Sequence, residues 1–269
     1  YLNSDFRIFH LKDQVDTEFD YHTHNFHKIT IFISGNVQYF IEGKTYTLNP
    51  YDIVLVNRND IHRIQVDSSI PYERIIVYIS PGFMEAYRTT EYNLAYCFEQ
   101  AREKQSYVLR IPSLETSSLY KTTQRLERSF HDHEYAGSLY RQILFLEFMI
   151  QLNRATLKEG IEYLDTKLYN KKVLDIMNYI QDHLTETISM DSLASVFYLS
   201  KYHMMRLFKA ETGVTIGHYI TYRRLLLARR YIHSGMSITN ACFACGFQSY
   251  SAFSRAYKQE FKEPPRKLK

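Results

Sequence analysis

The sequence predicts an α+β chain with three parts: an amino-terminal antiparallel β-barrel of jelly-roll type, a helical extension, and an all-α carboxy-terminal domain with two helix-turn-helix units joined by a long helix. Three observations lead there. Apolar and polar residues alternate in short runs from Lys28 to Val66, the apolar spacing becomes helical after Pro81, and two late blocks each spell a short helix, a turn and a second helix with an outward Arg. At 269 residues and 45% hydrophobic, the chain has material for two cores. The expected boundaries are 1–82 for the barrel, 83–166 for the extension and 167–269 for the helical domain.

In the first part, Ile29 to Ile33, Val37 to Ile41, Lys44 to Leu48 and Ile53 to Val56 have strand length, and Tyr72 to Ile79 continues the series. Ser34-Gly35-Asn36, Glu42-Gly43 and Asn49-Pro50 separate them as turns. Short strands at this spacing make a small barrel or jelly roll whose mouth suits a ligand.

His22-Thr-His24, Gly35, Gly43, Asp52 and His62-Arg63 resemble the two motifs of cupin domains. That resemblance implies a metal held by three His and one Glu. Here Lys28 stands four residues after His24, in the carboxylate's place, and a fixed ammonium repels a divalent cation. No metal and no cofactor is therefore expected. His22, His24, Lys28 and His62, with Arg63, instead offer convergent groups for the hydroxyls or carboxylate of a small effector. Tyr39 and Tyr46 stand as either lining or core, since a Tyr ring stacks on sugar faces and also packs well; Phe40 reads as core. Lys28 facing solvent at the strand start is the alternative. Carbohydrate is the effector class expected.

From Pro81 to Leu168 the chain reads as helices. Leu119, Thr122, Thr123, Leu126 and Phe130, then Leu139, Ile143, Leu146, Phe148, Met149 and Leu152, fall at helical spacing on either side of a polar turn at residues 131–137. Such a pair covers the barrel, forms a dimer contact, or both. His131 and His133 lie in the polar turn and read as solvated. Cys97 is isolated, and Cys242 and Cys245 lack the strand context of a redox motif and the second pair of a zinc site, so packing explains them.

The last part carries the two repeated blocks. Ser200 is an N-cap for a helix that turns Met204, Leu207 and Phe208 inward and Lys201, Tyr202, Met205, Arg206 and Lys209 outward. Further on, Ile238, Ala241, Cys242 and Cys245 make one short helix, Gly246-Phe247 ends it, and Ser249 caps another. Phe253, Tyr257 and Phe261 form the inner face of that last helix, with Tyr250, Ser251, Ser254, Arg255 and Lys258 outward. Arg bonds guanine bidentately and Met or Tyr touches a thymine methyl, so both outer faces suit the major groove. Either block alone is equally well a solvated helix face; matching Arg206 and Arg255 in two copies favours reading DNA. Between them, Ile216 to His233 makes roughly 18 residues or about 27 Å of helix, close to the ~34 Å between successive major-groove faces.

The segment from Ser200 to Lys209, Tyr222-Arg223-Arg224-Leu225 with Ala228-Arg229-Arg230, and Gly246-Phe247 through Phe253 to Lys258 resemble the DNA-binding domain of the AraC/XylS family of bacterial transcription regulators. Pro265 also falls in family order; Lys262 and Leu268 depart from it. The resemblance implies a cytoplasmic regulator, commonly a homodimer, that binds a double-stranded DNA operator, answers to a small-molecule effector and works with RNA polymerase. Charge agrees: residues 171–269 hold 15 Lys and Arg against 7 Asp and Glu, a net +8, whereas residues 1–170 hold 18 against 22, a net −4. A basic domain displaces counterions from phosphates, and Lys201, Lys209, Arg223, Arg224, Lys258 and Arg266 are phosphate candidates. No apolar run approaches the ~20 residues of a membrane span. Three alternatives have distinct signatures: a metal-dependent cupin enzyme on a DNA tether, an effector-independent regulator whose barrel serves dimerisation, and a structural DNA-organising protein.

Overall fold

The computed structural model describes residues 4–14, 21–132, 134–158, 161–164, 171–261 and 263–265. Of the residues singled out above, His133, Lys262, Arg266 and Leu268 lie outside that set. The chain divides into two compact units, Tyr1–Lys167 and Leu168–Lys269.

In the first unit the strands are β1 (Phe6–Asp13), β2 (His27–Ser34), β3 (Val37–Ile41), β4 (Lys44–Thr47), β5 (Ile53–Val56), β6 (His62–Val66), β7 (Tyr72–Ile79), β8 (Val108–Arg110) and β9 (Glu162–Tyr163). Helices α1 (Pro81–Ala86) and α2 (Tyr96–Glu103) precede β8, and α3 (Ser118–Ser129) and α4 (Gly137–Thr156) follow it. The expected barrel takes the open jelly-roll form. Six strands in the order β1-β7-β2-β5-β8-β9 make one antiparallel sheet, and β4-β3-β6 make a second. Successive strands β2 and β3 belong to different sheets, and the chain turns between them at Gly35. There φ is +127°, and a Cβ would stand 3.1 Å from Tyr72 Cα, so the corner requires glycine.

Strand register fixes which side chains share a face, because alternate residues point to opposite sides. Ile29 lies opposite Val77 and Ile31 opposite Ile75, with Phe6 opposite Ile79 on the same side. Helical rings cover that face: Phe145 of α4 stacks on Phe6 at 4.0 Å, Phe83 of α1 meets both, and Phe98 of α2 lies 4.7 Å from His27. Phe98, Phe145 and Phe148 are fully buried, each worth about 1.5–3 kcal/mol in transfer from water. On the opposite face of the same sheet, Lys28 lies opposite Tyr78, Thr30 opposite Ile76 and Phe32 opposite Arg74. The inward face of the small sheet carries Tyr39 opposite Ile64 and Ile41 opposite His62, all buried.

The second unit contains α5 (Lys171–Asp182), α6 (Met190–Val196), α7 (Lys201–Thr212), α8 (Ile216–His233), α9 (Ile238–Ala244) and α10 (Tyr250–Phe261). Hydroxyls start these helices. Ser189, Ser200, Thr215, Ser237 and Ser249 each accept from the backbone N–H three residues on, at 2.9, 3.3, 3.2, 3.2 and 3.5 Å, satisfying amides that a helix leaves free. The long α8 runs from Ile216 to His233 as its spacing predicts. Its Leu225, Ala228 and Ile232 pack with Ala241, Cys242, Cys245, Phe253 and Tyr257 in one cluster. The cysteines are thiols in that core and Cys97 is a buried thiol in the first unit.

Candidate functional site

Three polar groups of the first unit, Lys28, His24 and His62, lack among the described residues the partners their chemistry asks for. Lys28 is only 6% exposed; the sheet's pleat turns it toward Tyr39 of the facing sheet, whose ring centroid is 6.0 Å from Nζ. Lys28 does not face solvent. The His62 ring centroid lies 4.3 Å from that of His22 and 4.8 Å from that of His24. His22 reaches this place because its backbone exchanges hydrogen bonds with His62 at 3.0 and 3.1 Å, adding it to the sheet edge beside β6.

The imidazoles are held in one tautomer. His24 Nδ1 lies 2.7 Å from Phe26 O, and His62 Nδ1 lies 3.0 Å from Asp60 O. A carbonyl only accepts, so each Nδ1 carries the proton and each Nε2 is left as a lone pair. Both Nε2 atoms are buried without a hydrogen-bond partner among the described residues. Burial first, and the Lys28 charge second, pull His24 down to about 3 and hold His62 well below the ordinary range. Both are neutral acceptors at neutral pH. Burial, then the charge of Arg74, lowers Lys28 to about 8. Arg74 itself is engaged, bonding Asp13 at 2.7 Å and Tyr72 O at 3.0 Å. No carboxylate pairs with Lys28 among the described residues. An unmet buried donor or acceptor costs about 1–3 kcal/mol, and an unpaired charge costs more.

The remaining sequence candidates divide. Tyr39 faces this cluster but is fully buried, its hydroxyl 3.0 Å from that of Tyr72. Tyr46 is its cross-strand neighbour, and the Tyr46 hydroxyl accepts from Tyr107 N at 3.0 Å. Arg63 belongs to the other face: it pairs in register with Phe40 and stacks between Phe40 and Tyr21, at 4.1 and 4.9 Å. Phe40 is buried there, beneath Arg63. Sequence reasoning missed Arg74 and Tyr78, which share the face of Lys28 because β7 pairs with β2, Phe26, whose ring lies 4.6 Å from that of Tyr78, and Tyr72, which meets Tyr39. Among the described residues no three His, Cys, Asp or Glu are disposed to hold a metal ion, and the charge of Lys28 acts on both His24 and His62.

The second unit presents two similar faces. On α7, Met204 and Phe208 are fully buried, while Tyr202 is 85% exposed and Met205, Arg206 and Lys209 project outward. Lys201 bonds Asp191 at 2.9 Å. On α10, Phe253 and Tyr257 are buried, Tyr250, Ser251, Arg255 and Lys258 are exposed, and Ser254 is half-buried. Ser200 and Ser249 serve as caps. Arg206 and Arg255 each lie six residues past the capping Ser and have no acidic partner among the described residues. Arg224, a phosphate candidate by sequence, is corrected to a structural role: its Nε donates to Leu184 O at 2.8 Å and another nitrogen donates to Glu186 O. Arg223 donates to Gln181 at 3.0 Å and stacks on Tyr219, and Arg229 reaches Glu263 at 3.6 Å.

The exits of α6 and α9, which lead to α7 and α10, share one backbone shape, with Tyr198 N donating to Ser195 O and Gly246 N to Phe243 O. Gly246 has φ +88°, and Tyr198, in the corresponding place, has φ +52°. At Gly246 a Cβ would stand 2.8 Å from Thr185 O and 3.1 Å from Arg224 Cζ, so glycine is required there.

A family model described as an AraC-like ligand binding domain matches residues 8–149, and one described as a helix-turn-helix domain matches residues 193–269. The chain is 26% identical over 255 residues to the HTH-type transcriptional activator RhaS of Enterobacter sp. (strain 638), covering 93% of this chain and 87% of that protein. It is also 26% identical over 252 residues to RhaS of Escherichia fergusonii, with the same coverage. Among solved structures, apo ToxT from Vibrio cholerae strain SCE256 aligns with 98% of this chain and 96% of its own, at 15% identity and a TM-score of 0.41.

Proposed function

The chain belongs to the AraC/XylS family of bacterial transcription regulators, joining an AraC-like ligand-binding domain to a helix-turn-helix domain, and from that premise we propose that α7 and α10 read two segments of a double-stranded DNA operator under the control of a small hydroxylated metabolite, a sugar or sugar derivative, held by Lys28, His24 and His62. In this reading residues 1–82 hold the effector, 83–166 carry the dimer contact and 167–269 bind DNA. The observation that carries it is the repeat: two capped helices, each with an exposed Arg six residues past its Ser and an apolar inner face. Arg206 and Arg255 read base edges, while Lys209 and Lys258 meet phosphates.

A homodimer is supported by α4, which is apolar on both sides. Its Leu144, Phe145, Phe148 and Leu152 are buried, yet Leu139, Ile143 and Ile150 are 56%, 53% and 42% exposed. A helix hydrophobic all round requires a second cover, and a second copy of α4 supplies it. The unpaired groups around Lys28 act as a receptor, not as an active site, and binding there changes dimer or operator affinity. The protein works in the cytoplasm and engages RNA polymerase. No described helix is long and apolar enough to cross a membrane.

The test is operator selection from random duplexes with the full chain, followed by Arg206→Ala and Arg255→Ala. Each variant is expected to lose about 1–3 kcal/mol and to relax preference at a different half-site. Unchanged affinity and preference in both would end this reading.

A further inference from the structure

Resting on the reading that the Lys28 face is the effector site, we propose that the effector is a hydroxylated carboxylic acid, its carboxylate on Lys28 Nζ and its hydroxyls donating to His24 Nε2 and His62 Nε2. Three observations select that chemistry. The cations on this face are Arg7, Lys28 and Arg74; Arg7 is exposed and donates to Ser4 Oγ, and Arg74 is matched by Asp13 at 2.7 Å, which leaves Lys28 as the one buried unmatched positive charge among the described residues. One negative charge completes the site. The Nε2 atoms, fixed as lone pairs by the carbonyls of Phe26 and Asp60, require donors. Phe26 and Tyr78, with ring centroids 4.6 Å apart, and Phe9, 5.5 Å from Tyr78, supply an apolar flank for carbon.

Other ligand classes fail on one count each. A neutral sugar satisfies the imidazoles and leaves the ammonium unpaired. A plain fatty acid satisfies the ammonium and brings no hydroxyl to the imidazoles. A phosphate ester at neutral pH carries up to two charges against the one buried cation that the described residues leave unmatched. A sugar acid presents the one charge and the donors together.

The experiment uses the full chain in calorimetry and thermal-shift titrations with galacturonate, gluconate and lactate, beside galactose, decanoate and glycerol 3-phosphate. At least one hydroxy acid is expected to bind saturably and to raise the melting temperature, with Lys28→Met weakening it at least 100-fold and Lys28→Arg less. Lys28→Met is checked for fold by circular dichroism and for operator binding by fluorescence anisotropy. Galactose or decanoate binding that Lys28→Met leaves intact would overturn the inference, as would a panel in which no hydroxy acid binds the wild type. Operator binding without ligand is read separately: its loss counts against the regulator reading, whereas intact operator binding that galactose alone alters leaves that reading standing and removes this one.

Discussion

Lys28→Met changes a buried ammonium for a thioether of nearly the same length, and its effect on stability follows from the charge alone. Lys28 titrates at about 8 in the folded chain against 10.5 ordinarily. Because the folded value is the lower, folding opposes protonation: stability present above pH 10.5 is lost as pH falls and is fully lost below about 8. At 1.36 kcal/mol per pH unit, the loss at pH 7 is about 3 kcal/mol. The variant should therefore exceed the ligand-free wild type by about 3 kcal/mol at pH 7, a rise of roughly 6–12 °C for a unit of this size. At pH 9.5 only one unit of the interval remains, and the gap should narrow to about 1 kcal/mol. Urea unfolding at the two pH values, followed by circular dichroism and tyrosine fluorescence, measures both gaps. Equal stability at pH 7, or a gap that does not narrow, would refute the reasoning; a constant gap would locate the difference in packing.

The two helix-turn-helix turns should respond with opposite signs. Gly246→Ala places a methyl 2.8 Å from Thr185 O at φ +88° and should cost about 2–4 kcal/mol, whereas Tyr198→Gly, at φ +52° with the ring 96% exposed, should be neutral or stabilise by up to about 1 kcal/mol. Thermal unfolding of both variants decides, and a shared sign would deny the turns a common design. Ile143→Glu, at a 53% exposed position of α4, should convert a dimer to a monomer in sedimentation velocity with unfolding altered by no more than about 0.5 kcal/mol. A variant that still sediments as a dimer would move the contact elsewhere.

The helical half was legible because its signals are local. A hydroxyl three residues before an amide, a glycine at a left-handed turn and apolar spacing over one helix all lie within a dozen residues, and α7 and α10 start where Ser200 and Ser249 cap them. The first unit was legible only strand by strand. From the alternation alone, Lys28 faces water as readily as the interior; the pairing of β2 with β7 and β5 decides it. β7 begins nearly forty residues after β2 ends, β1 joins the sheet from the far side of the histidines, and β8 and β9 are too short to give a period. Arg63 shows the same limit: one residue from His62, it lies on the opposite face, and proximity in sequence suggested a shared site that a two-residue repeat forbids.

The arginines of the second unit show why composition finds a basic domain but does not sort its charges. Arg206, Arg224 and Arg255 look alike in a count that gives this region its net +8. Arg224 lies on α8 where α5's exit passes, and carbonyls at Leu184 and Glu186 accept from two of its nitrogens, so it helps to close the fold. Gly246 fits against that same guanidinium, 3.1 Å from where its Cβ would stand, which binds the second turn to the linker helix. Arg206 and Arg255 escape such capture because Met204 and Phe208, and Phe253 and Tyr257, take the inward positions of their helices. The apolar residues thus select which arginines face outward: in the proposed reading, a cation that the packed face leaves outside, with no carbonyl or carboxylate in reach among the described residues, keeps its donors for a base.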